Sequence, residues 1–251
     1  METLRARALE QCKRLLCEEA DQCLAPHHHE AFCCRFPRDV QWWVRKTALD
    51  PSVEAILETP DRYLEDRLQL YKDSRSSTVG RFSGYVLKRY NLRRPWKWVK
   101  ANLRGSYARR AFRSAYHLEL AGIPGARPVA FGDRRRLGML VGSYLLTKEI
   151  PYALPLDKSR NCSPAVLREV GRLLGRLHKE GFRQFDPKPS NILIDPRGAA
   201  HLVDMDGIRF VTRVAPKAAQ KDLDRFLARL VLAPADRDLF VGSYREALGE
   251  S

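Results

Sequence analysis

Residues 185–207 read FDPKPSNILIDPRGAAHLVDMDG. Asp186 stands two positions before Lys188 and five before Asn191, and Asp204 follows Asn191 by thirteen. Ile192-Leu193-Ile194 and His201-Leu202-Val203 read as short strands, with the turn Asp195-Pro196-Arg197-Gly198 between them. A hairpin of that kind lets Asn191 and Asp204 emerge at one end. A carboxylate and an amide there offer hard oxygen ligands to Mg²⁺. Asp186 can orient an acceptor hydroxyl and take its proton, and Lys188 can neutralise a transferring phosphoryl group. The set suits metal-assisted phosphoryl transfer.

Helical periodicity surrounds this stretch. Pro164 opens a helix through Leu177 with Leu167, Val170, Leu174 and Leu177 inward, Ser163 as its N-cap and Gly181 closing it. Residues 217–232 and 236–248 read as closing helices. Upstream the pattern changes. Thr78–Phe82 and Tyr85–Tyr90 are β-like runs joined by Ser83-Gly84. A helix over 106–121, lined by Tyr107, Ala111, Ala115, Leu118 and Ala121, stops at Gly122-Ile123-Pro124. Val129–Phe131 and Gly138–Leu146 read as two more strands, the second continuous enough for burial on both faces. Residues 3–23 read as a helix, 24–38 as a loop, and 39–70 as mixed, with Trp42-Trp43 and breaks at Pro51 and Pro60.

The chain has 251 residues, of which 44% are hydrophobic and 30% charged, which argues against a disordered tail. No apolar run is long enough for a membrane span, and METLRARALEQCKRLL has no apolar core for a secretory signal. The formal net charge of +15 is uneven. Residues 71–113 hold 13 basic side chains against Asp73 alone, whereas residues 1–70 hold 10 basic and 13 acidic. Such a block points to phosphates, in a nucleotide, a nucleic acid or an anionic lipid. Cys12, Cys17, Cys23, Cys33 and Cys34 flank His27, His28 and His29, which raises zinc binding, but the spacing is irregular and contains no C-x-x-C pair. With Cys162, the six read as free thiols.

The stretch from Asp186 resembles the catalytic loop of the protein-kinase superfold: D-x-K-P-x-N-I-L-I is met by Asp186, Lys188, Pro189, Asn191, Ile192, Leu193 and Ile194. The Asp-Phe-Gly motif is altered to Asp204-Met205-Asp206-Gly207. The ending VDMDGIRF narrows the likeness to bacterial lipopolysaccharide core kinases, the family that phosphorylates Kdo or heptose sugars. VLKRYN (Val86–Asn91), the stretch Arg109–Phe131, YLLTKEI (Tyr144–Ile150) and the tail from DLDRFLARL are similar too. The resemblance covers about residues 65–248.

The resemblance implies an α+β, two-lobed protein-kinase-like fold with a β-rich N-lobe and a reduced helical C-lobe. It implies an N-terminal helical extension over 1–64, an N-lobe over 65–150 and a C-lobe over 151–251. Lys88 matches the strand lysine that holds the α- and β-phosphates of ATP. Asp186 matches the catalytic base, Asn191 and Asp204 the Mg²⁺ ligands, and Asp206 would assist a second metal or hold the loop. Ser74, Arg75, Ser76, Ser77 and Thr78 take the place of the glycine-rich loop. Thr147–Ile150, with Lys148 and Ile150, would be the hinge against adenine. Glu119 is the candidate partner of Lys88, since Ala111 occupies one position where the glutamate would stand. Gln184 and Phe185 stand where the superfold usually has His with Arg or Gly, and Pro187 replaces a common Leu. His178, in L-H-x-x-G, reads as a packed structural histidine. No Ala-Pro-Glu motif follows Asp204, which disfavours a protein substrate.

The expected partners are a lipid A–core saccharide acceptor and the anionic inner-membrane surface. Neither nucleic acid nor an obligate protein partner is expected, and the expected location is cytoplasmic, peripheral on the inner membrane. Arg93, Arg94, Lys97, Lys100 and Arg104 exceed what one nucleotide needs and are assigned to the saccharide or the anionic leaflet. Trp96 and Trp98 read as interfacial anchors or lobe packing, with base stacking as the competing use. The alternatives are a kinase-like nucleotide-binding module of weak activity, suggested by Gln184-Phe185, and a kinase acting on another small molecule or on a protein.

Overall fold

The computed structural model describes residues 2–24, 30–65, 70–92, 95–157 and 161–249. In chain order the elements are α1 (Glu2–Gln22), β1 (Phe32–Arg35), β2 (Val40–Arg45), α2 (Pro51–Glu58), α3 (Pro60–Glu65), β3 (Leu70–Asp73), β4 (Ser77–Phe82), β5 (Tyr85–Tyr90), α4 (Pro95–Arg104) and α5 (Tyr107–Leu120). There follow β6 (Pro128–Arg136), β7 (Met139–Lys148), β8 (Leu154–Pro155), α6 (Pro164–Lys179), β9 (Phe182–Gln184), β10 (Ile192–Ile194), β11 (Ala200–Leu202), β12 (Ile208–Phe210), α7 (Pro216–Leu230) and α8 (Pro234–Leu248). This is an α+β chain of two compact units. One comprises Glu19–Tyr116 and Arg127–Glu149, and the other the described residues up to Glu18, His117–Ala126 and those from Ile150 onward.

The first unit is built on a seven-stranded antiparallel sheet in the order β1-β2-β6-β7-β5-β4-β3. Val40, Trp42, Val44, Tyr85, Leu87, Tyr144 and Leu146 on one face pack with Val53, Ile56 and Leu57 of α2 and Leu64 of α3. Burying each such side chain contributes about 1.5–3 kcal/mol. Gly132 lies opposite Trp42, and a Cβ there would come within 2.6 Å of the indole, so only glycine leaves room for the ring. On the other face Trp43 stacks on Phe131 at 4.8 Å, and Phe131 meets Phe112 of α5 at 5.2 Å.

Residues 1–64 were expected to form a helical extension. They supply two strands of this sheet as well as helices. β1 lies inside the expected loop 24–38. The reason is double-sided burial. Val40, Trp42 and Val44 alternate onto one face while Trp43 packs on the other, so the apolar–polar alternation that marks a strand is absent. The expected strand from Gly138 begins one residue later; Met139 and Val141 are exposed, and burial on both faces holds from Gly142 to Thr147.

Asp61 of α3 ties three strands together. Its carboxylate accepts from Arg89 Nη1 of β5 (2.8 Å), from Arg134 Nη1 of β6 (2.6 Å) and from the Tyr144 hydroxyl of β7 (3.0 Å). Burial alone would raise the Asp61 pKa, but the hydrogen bonds from Arg134 and Arg89 prevail and hold it below the usual carboxylate value. Arg89 thereby turns to the α3 side, as Tyr85 and Leu87 do, and the strand alternation leaves Lys88 on the opposite face with Tyr90. The Lys88 ammonium sits 4.8 Å from the Tyr90 ring centroid, and Tyr90 stacks on Tyr107 of α5.

In the second unit, α6 begins as the sequence predicts: the Ser163 Oγ accepts from the Val166 amide (3.4 Å). Its buried face packs against α8 at very short range. A Cβ on Gly171 or Gly175 would come 2.6 Å from the Phe240 carbonyl oxygen or 2.4 Å from that of Tyr244. The buried Lys13 ammonium of α1 donates to the Lys179 carbonyl at the end of α6, where the helix dipole favours a cation. His178 is buried, with Nδ1 2.6 Å from the Tyr244 hydroxyl of α8. Its Nε2 lies 4.0 Å from Asp222 of α7, which takes a two-pronged bond from Arg183 of β9 at 2.8 and 2.9 Å. The packed structural role expected for His178 is the one observed.

Two predictions follow from these networks. Asp61→Ala leaves Arg89 and Arg134 half-buried without their shared carboxylate. It should lower stability by about 1–3 kcal/mol in denaturant titration, and an unchanged midpoint would contradict the role given to Asp61. Burial pushes the His178 imidazole down to about 4, with Asp222 opposing and Arg183 reinforcing. The folded chain therefore resists a proton that the unfolded chain accepts from about pH 6.5 downward. Stability from this site is full above pH 6.5 and is lost as pH falls towards 4, by up to about 1.4 kcal/mol per pH unit. His178→Gln should flatten the slope of unfolding free energy over that window, and parallel wild-type and variant slopes would refute the assignment.

Candidate active site

Two short ladders gather the residues singled out in 185–207. In the β10–β11 hairpin Ile192 pairs with Leu202, and the Val203 amide donates to the Asn191 carbonyl at 2.9 Å. Asn191 and Asp204 therefore leave the hairpin at the same end, as their spacing predicts. In the second ladder Ile208 of β12 pairs with Gln184 of β9, and the Phe185 amide donates to the Gly207 carbonyl at 2.9 Å. This brings the backbone before Asp186 beside the backbone after Asp206. Between the ladders the chain makes two 3₁₀ turns, Pro189–Asn191 and Met205–Gly207. The loop 122–126 pairs with the hairpin at Leu202: the Ala126 amide donates to the Leu202 carbonyl, and a Cβ on Gly125 would be 3.1 Å from that oxygen.

Asp186 is exposed at the surface of this loop and carries two cations. Lys188 forms an ion pair with Oδ2, and Arg229 of α7 donates through Nη1 to Oδ1 (2.9 Å). The same Nη1 donates to the Pro187 carbonyl (2.6 Å), so Arg229 holds both the carboxylate and the loop backbone. Partial burial would raise the Asp186 pKa, but the bonds from Lys188 and Arg229 outweigh it and hold the carboxyl low. The Asn191 amide donates through Nδ2 to the Asp186 carbonyl (3.4 Å), and its Oδ1 remains as an oxygen acceptor. Asp204 is exposed and sits in left-handed backbone (φ 60°, ψ 62°), a conformation that aspartate tolerates better than most residues. Asp206 is exposed as well. The donors at this end of the hairpin are hard oxygens, the set Mg²⁺ takes.

Gln184 does not provide a hydrogen-bonding support in place of histidine. It is buried, and neither amide atom has a hydrogen-bond partner among the described residues. The loop is held instead by the β9–β12 ladder, by Arg229 and by the bond from half-buried Arg183 to buried Asp222. Sequence reasoning missed Arg229, Arg183 and Asp222. The available signal was the helix period of α7, which buries Asp222 among Leu223, Phe226, Leu227 and Leu230 and so demands a partner for that carboxylate.

The residues assigned to the nucleotide are placed as follows. Lys88 is half-buried on β5. The segment 74–78 is a hairpin turn that satisfies its own polar groups. Ser74 Oγ accepts from the amides of Ser76 (3.3 Å) and Ser77 (3.2 Å), and Thr78, buried, donates to Asp73 (2.9 Å). Ser77 is buried too, whereas Arg75 and Ser76 are exposed at the tip. Lys148 ends β7 with its ammonium 4.1 Å from the Tyr85 ring centroid, and the division between the two units falls between Glu149 and Ile150. Glu119 is in the last turn of α5.

Arg93, Arg94 and His27–His29 lie outside the described residues, as do the side chains of Trp96, Lys97, Lys100 and Arg104. Among the described residues no group of three or more His, Cys, Asp or Glu side chains could hold a metal ion. The Cys23 thiol is pushed up to about 12, chiefly by burial. Also among the described residues, no helix is long and apolar enough to cross a membrane.

Comparison with known proteins gives concordant results. A 3-deoxy-D-manno-octulosonic acid kinase of Xylella fastidiosa (strain M12) is 28% identical over 134 residues, 51% of this chain and 51% of the relative. The match thus spans about half the length of that curated protein. The solved structure of WaaP in complex with acyl carrier protein superposes with a TM-score of 0.54 at 17% identity, over 79% of this chain and 88% of the other, which shows a shared kinase-like fold. The family model for lipopolysaccharide kinase (Kdo/WaaP) matches residues 71–244, a span that contains Lys88, the catalytic-loop stretch and Arg229. On these residues the chain belongs to the Kdo/WaaP lipopolysaccharide kinase family.

Proposed function

We propose that the protein is an ATP- and Mg²⁺-dependent kinase. It phosphorylates a sugar hydroxyl, of Kdo or heptose, in the inner core of lipopolysaccharide. The observation that carries this reading is the convergence of Asp186, Asn191 and Asp204 on paired ladders, in a chain of this family. The acceptor oxygen attacks the γ-phosphorus, its proton passes to the Asp186 carboxylate, and the bond to the β–γ bridging oxygen breaks to release ADP. Lys188 balances charge on the moving phosphoryl group. Asn191 Oδ1 and the Asp204 carboxylate would hold Mg²⁺, with Asp206 as support, and the cation supplies neutralisation of the phosphate oxygens. Lys88 takes the α- and β-phosphates, and Arg75 and Ser76 at the turn tip, Lys148 and Ile150 border the nucleotide. Glu119 is the candidate partner of Lys88.

The same reading puts the protein on the cytoplasmic face of the inner membrane, where a lipid-linked acceptor would be met. One surface supports it. The β6–β7 turn places Leu137 97% exposed at its tip, next to exposed Arg135 and Arg136, with Met139 and Val141 exposed on β7. Asn102 of α4 donates to and accepts from the Leu140 backbone, which sets exposed Val99 and Leu103 on the helix beside that hairpin. Apolar tips ringed by arginine suit an anionic bilayer. Leu137 (φ 49°) and Gly138 (φ 77°) form a turn whose first position favours asparagine.

Asp186→Asn should lower phosphotransfer to a lipid A–core acceptor by about 10²–10⁴-fold while nucleotide binding persists. Full turnover by this variant would sink the assignment of the base. Leu137→Asn should fold at least as stably as the native chain. In vesicle co-sedimentation it should bind anionic liposomes about tenfold more weakly, as expected from withdrawing one leucine from the bilayer. Equal binding would exclude this hairpin as the contact.

A further inference from the structure

Arg229 spends only part of its guanidinium on the catalytic loop. Both of its hydrogen bonds, to Asp186 Oδ1 and to the Pro187 carbonyl, use Nη1. Among the described residues its Nε–Nη2 edge has no partner, and the side chain is 44% exposed. That edge presents two parallel N–H donors, the spacing that matches both oxygens of a planar carboxylate. Lys188, equally exposed, makes its ion pair with the same Asp186. Two cations therefore face one anion at the place where an acceptor hydroxyl must sit. With Lys188 turned to the phosphoryl group, the unused Arg229 edge is left for the acceptor, and an acidic sugar would meet it with its carboxylate. Phe185, 46% exposed with the Arg183 guanidinium over its ring, adds an apolar surface next to Asp186.

We infer that the Nε–Nη2 edge of Arg229 binds the carboxylate of an acidic sugar acceptor and so selects it over neutral sugars, while Nη1 keeps Asp186 in place. This rests on the kinase reading above and narrows its acceptor from Kdo or heptose to the sugar that carries an acid group. Arg229 then has two duties on one planar group. A lysine could keep the charge but not both contacts.

The test uses the full chain and two acceptors that differ at one group: a Kdo-bearing lipid A precursor, and the same molecule with its carboxylate reduced to an alcohol. The native protein should use the acid with a KM lower by about tenfold or more, the range of a charge-assisted hydrogen bond. Arg229→Gln should raise the KM for the acid by about tenfold, leave the KM for ATP within about twofold and abolish the preference. Arg229→Lys should retain part of it. Should a variant turn over too slowly, calorimetric titration with free Kdo and its reduced form reads the same preference as a ratio of affinities. If Arg229→Gln lowers kcat for both acceptors alike and keeps the preference, Arg229 only supports the loop. That result overturns the inference and leaves the kinase reading standing. If the native protein phosphorylates neither acceptor nor any other core sugar, the kinase reading falls and the inference with it.

Discussion

The carboxylate of Asp61 is the constraint on which the first unit depends. It binds three side chains from three adjacent strands, β5, β6 and β7, and fixes α3 over them. Arg89, one of the three, is the neighbour of Lys88, so the ion pair on one face of β5 sets which face Lys88 presents. Asp61 precedes residue 71, where the family match begins. The segment that matches the family thus relies on a residue outside it, together with the two strands contributed by β1 and β2.

The second unit meets a different demand. The loop from Asp186 carries exposed carboxylates in fixed positions, and exposed side chains gain little stability from their own contacts. The chain answers by anchoring the backbone on both sides of each functional residue. Hydrogen-bonded strands end at Gln184 and Leu202, and begin again at Ile192 and Ile208. Below the loop lies buried Asp222, paired with half-buried Arg183. Asp222 is buried, and losing Arg183 would strip its carboxylate of a two-pronged bond, which makes the pair a firm base for the loop.

The spacing of Asp186, Lys188, Asn191 and Asp204 was legible because local hairpin geometry alone fixes their meeting. The amphipathic helices α5, α6 and α7 were legible for a similar reason: each has one apolar face at helical period. β1 and β2 were not, since Trp42 and Trp43 pack on opposite faces and erase the alternation that marks a strand. Arg229 was not legible either. Its meeting with Asp186 bridges 43 positions of sequence, and nothing local in DLDRFLARL distinguishes it from Arg225. The turn at 74–76 was legible in its serines but not in their use, because Ser74 turns inward to satisfy the turn's own amides.

The strand order of the larger sheet has a consequence for how the chain reaches this state. β6 and β7 lie between β2 on one side and β5 on the other. During synthesis the β1–β2 hairpin and the β3–β4–β5 meander emerge first, and neither can close on the other. Each keeps an unpaired edge until residues 128–148 arrive as a hairpin and fill the gap. Open strand edges on apolar segments are where nascent chains associate wrongly. The order in which the ribosome delivers this chain therefore leaves these two strand edges open until the late hairpin arrives and closes them.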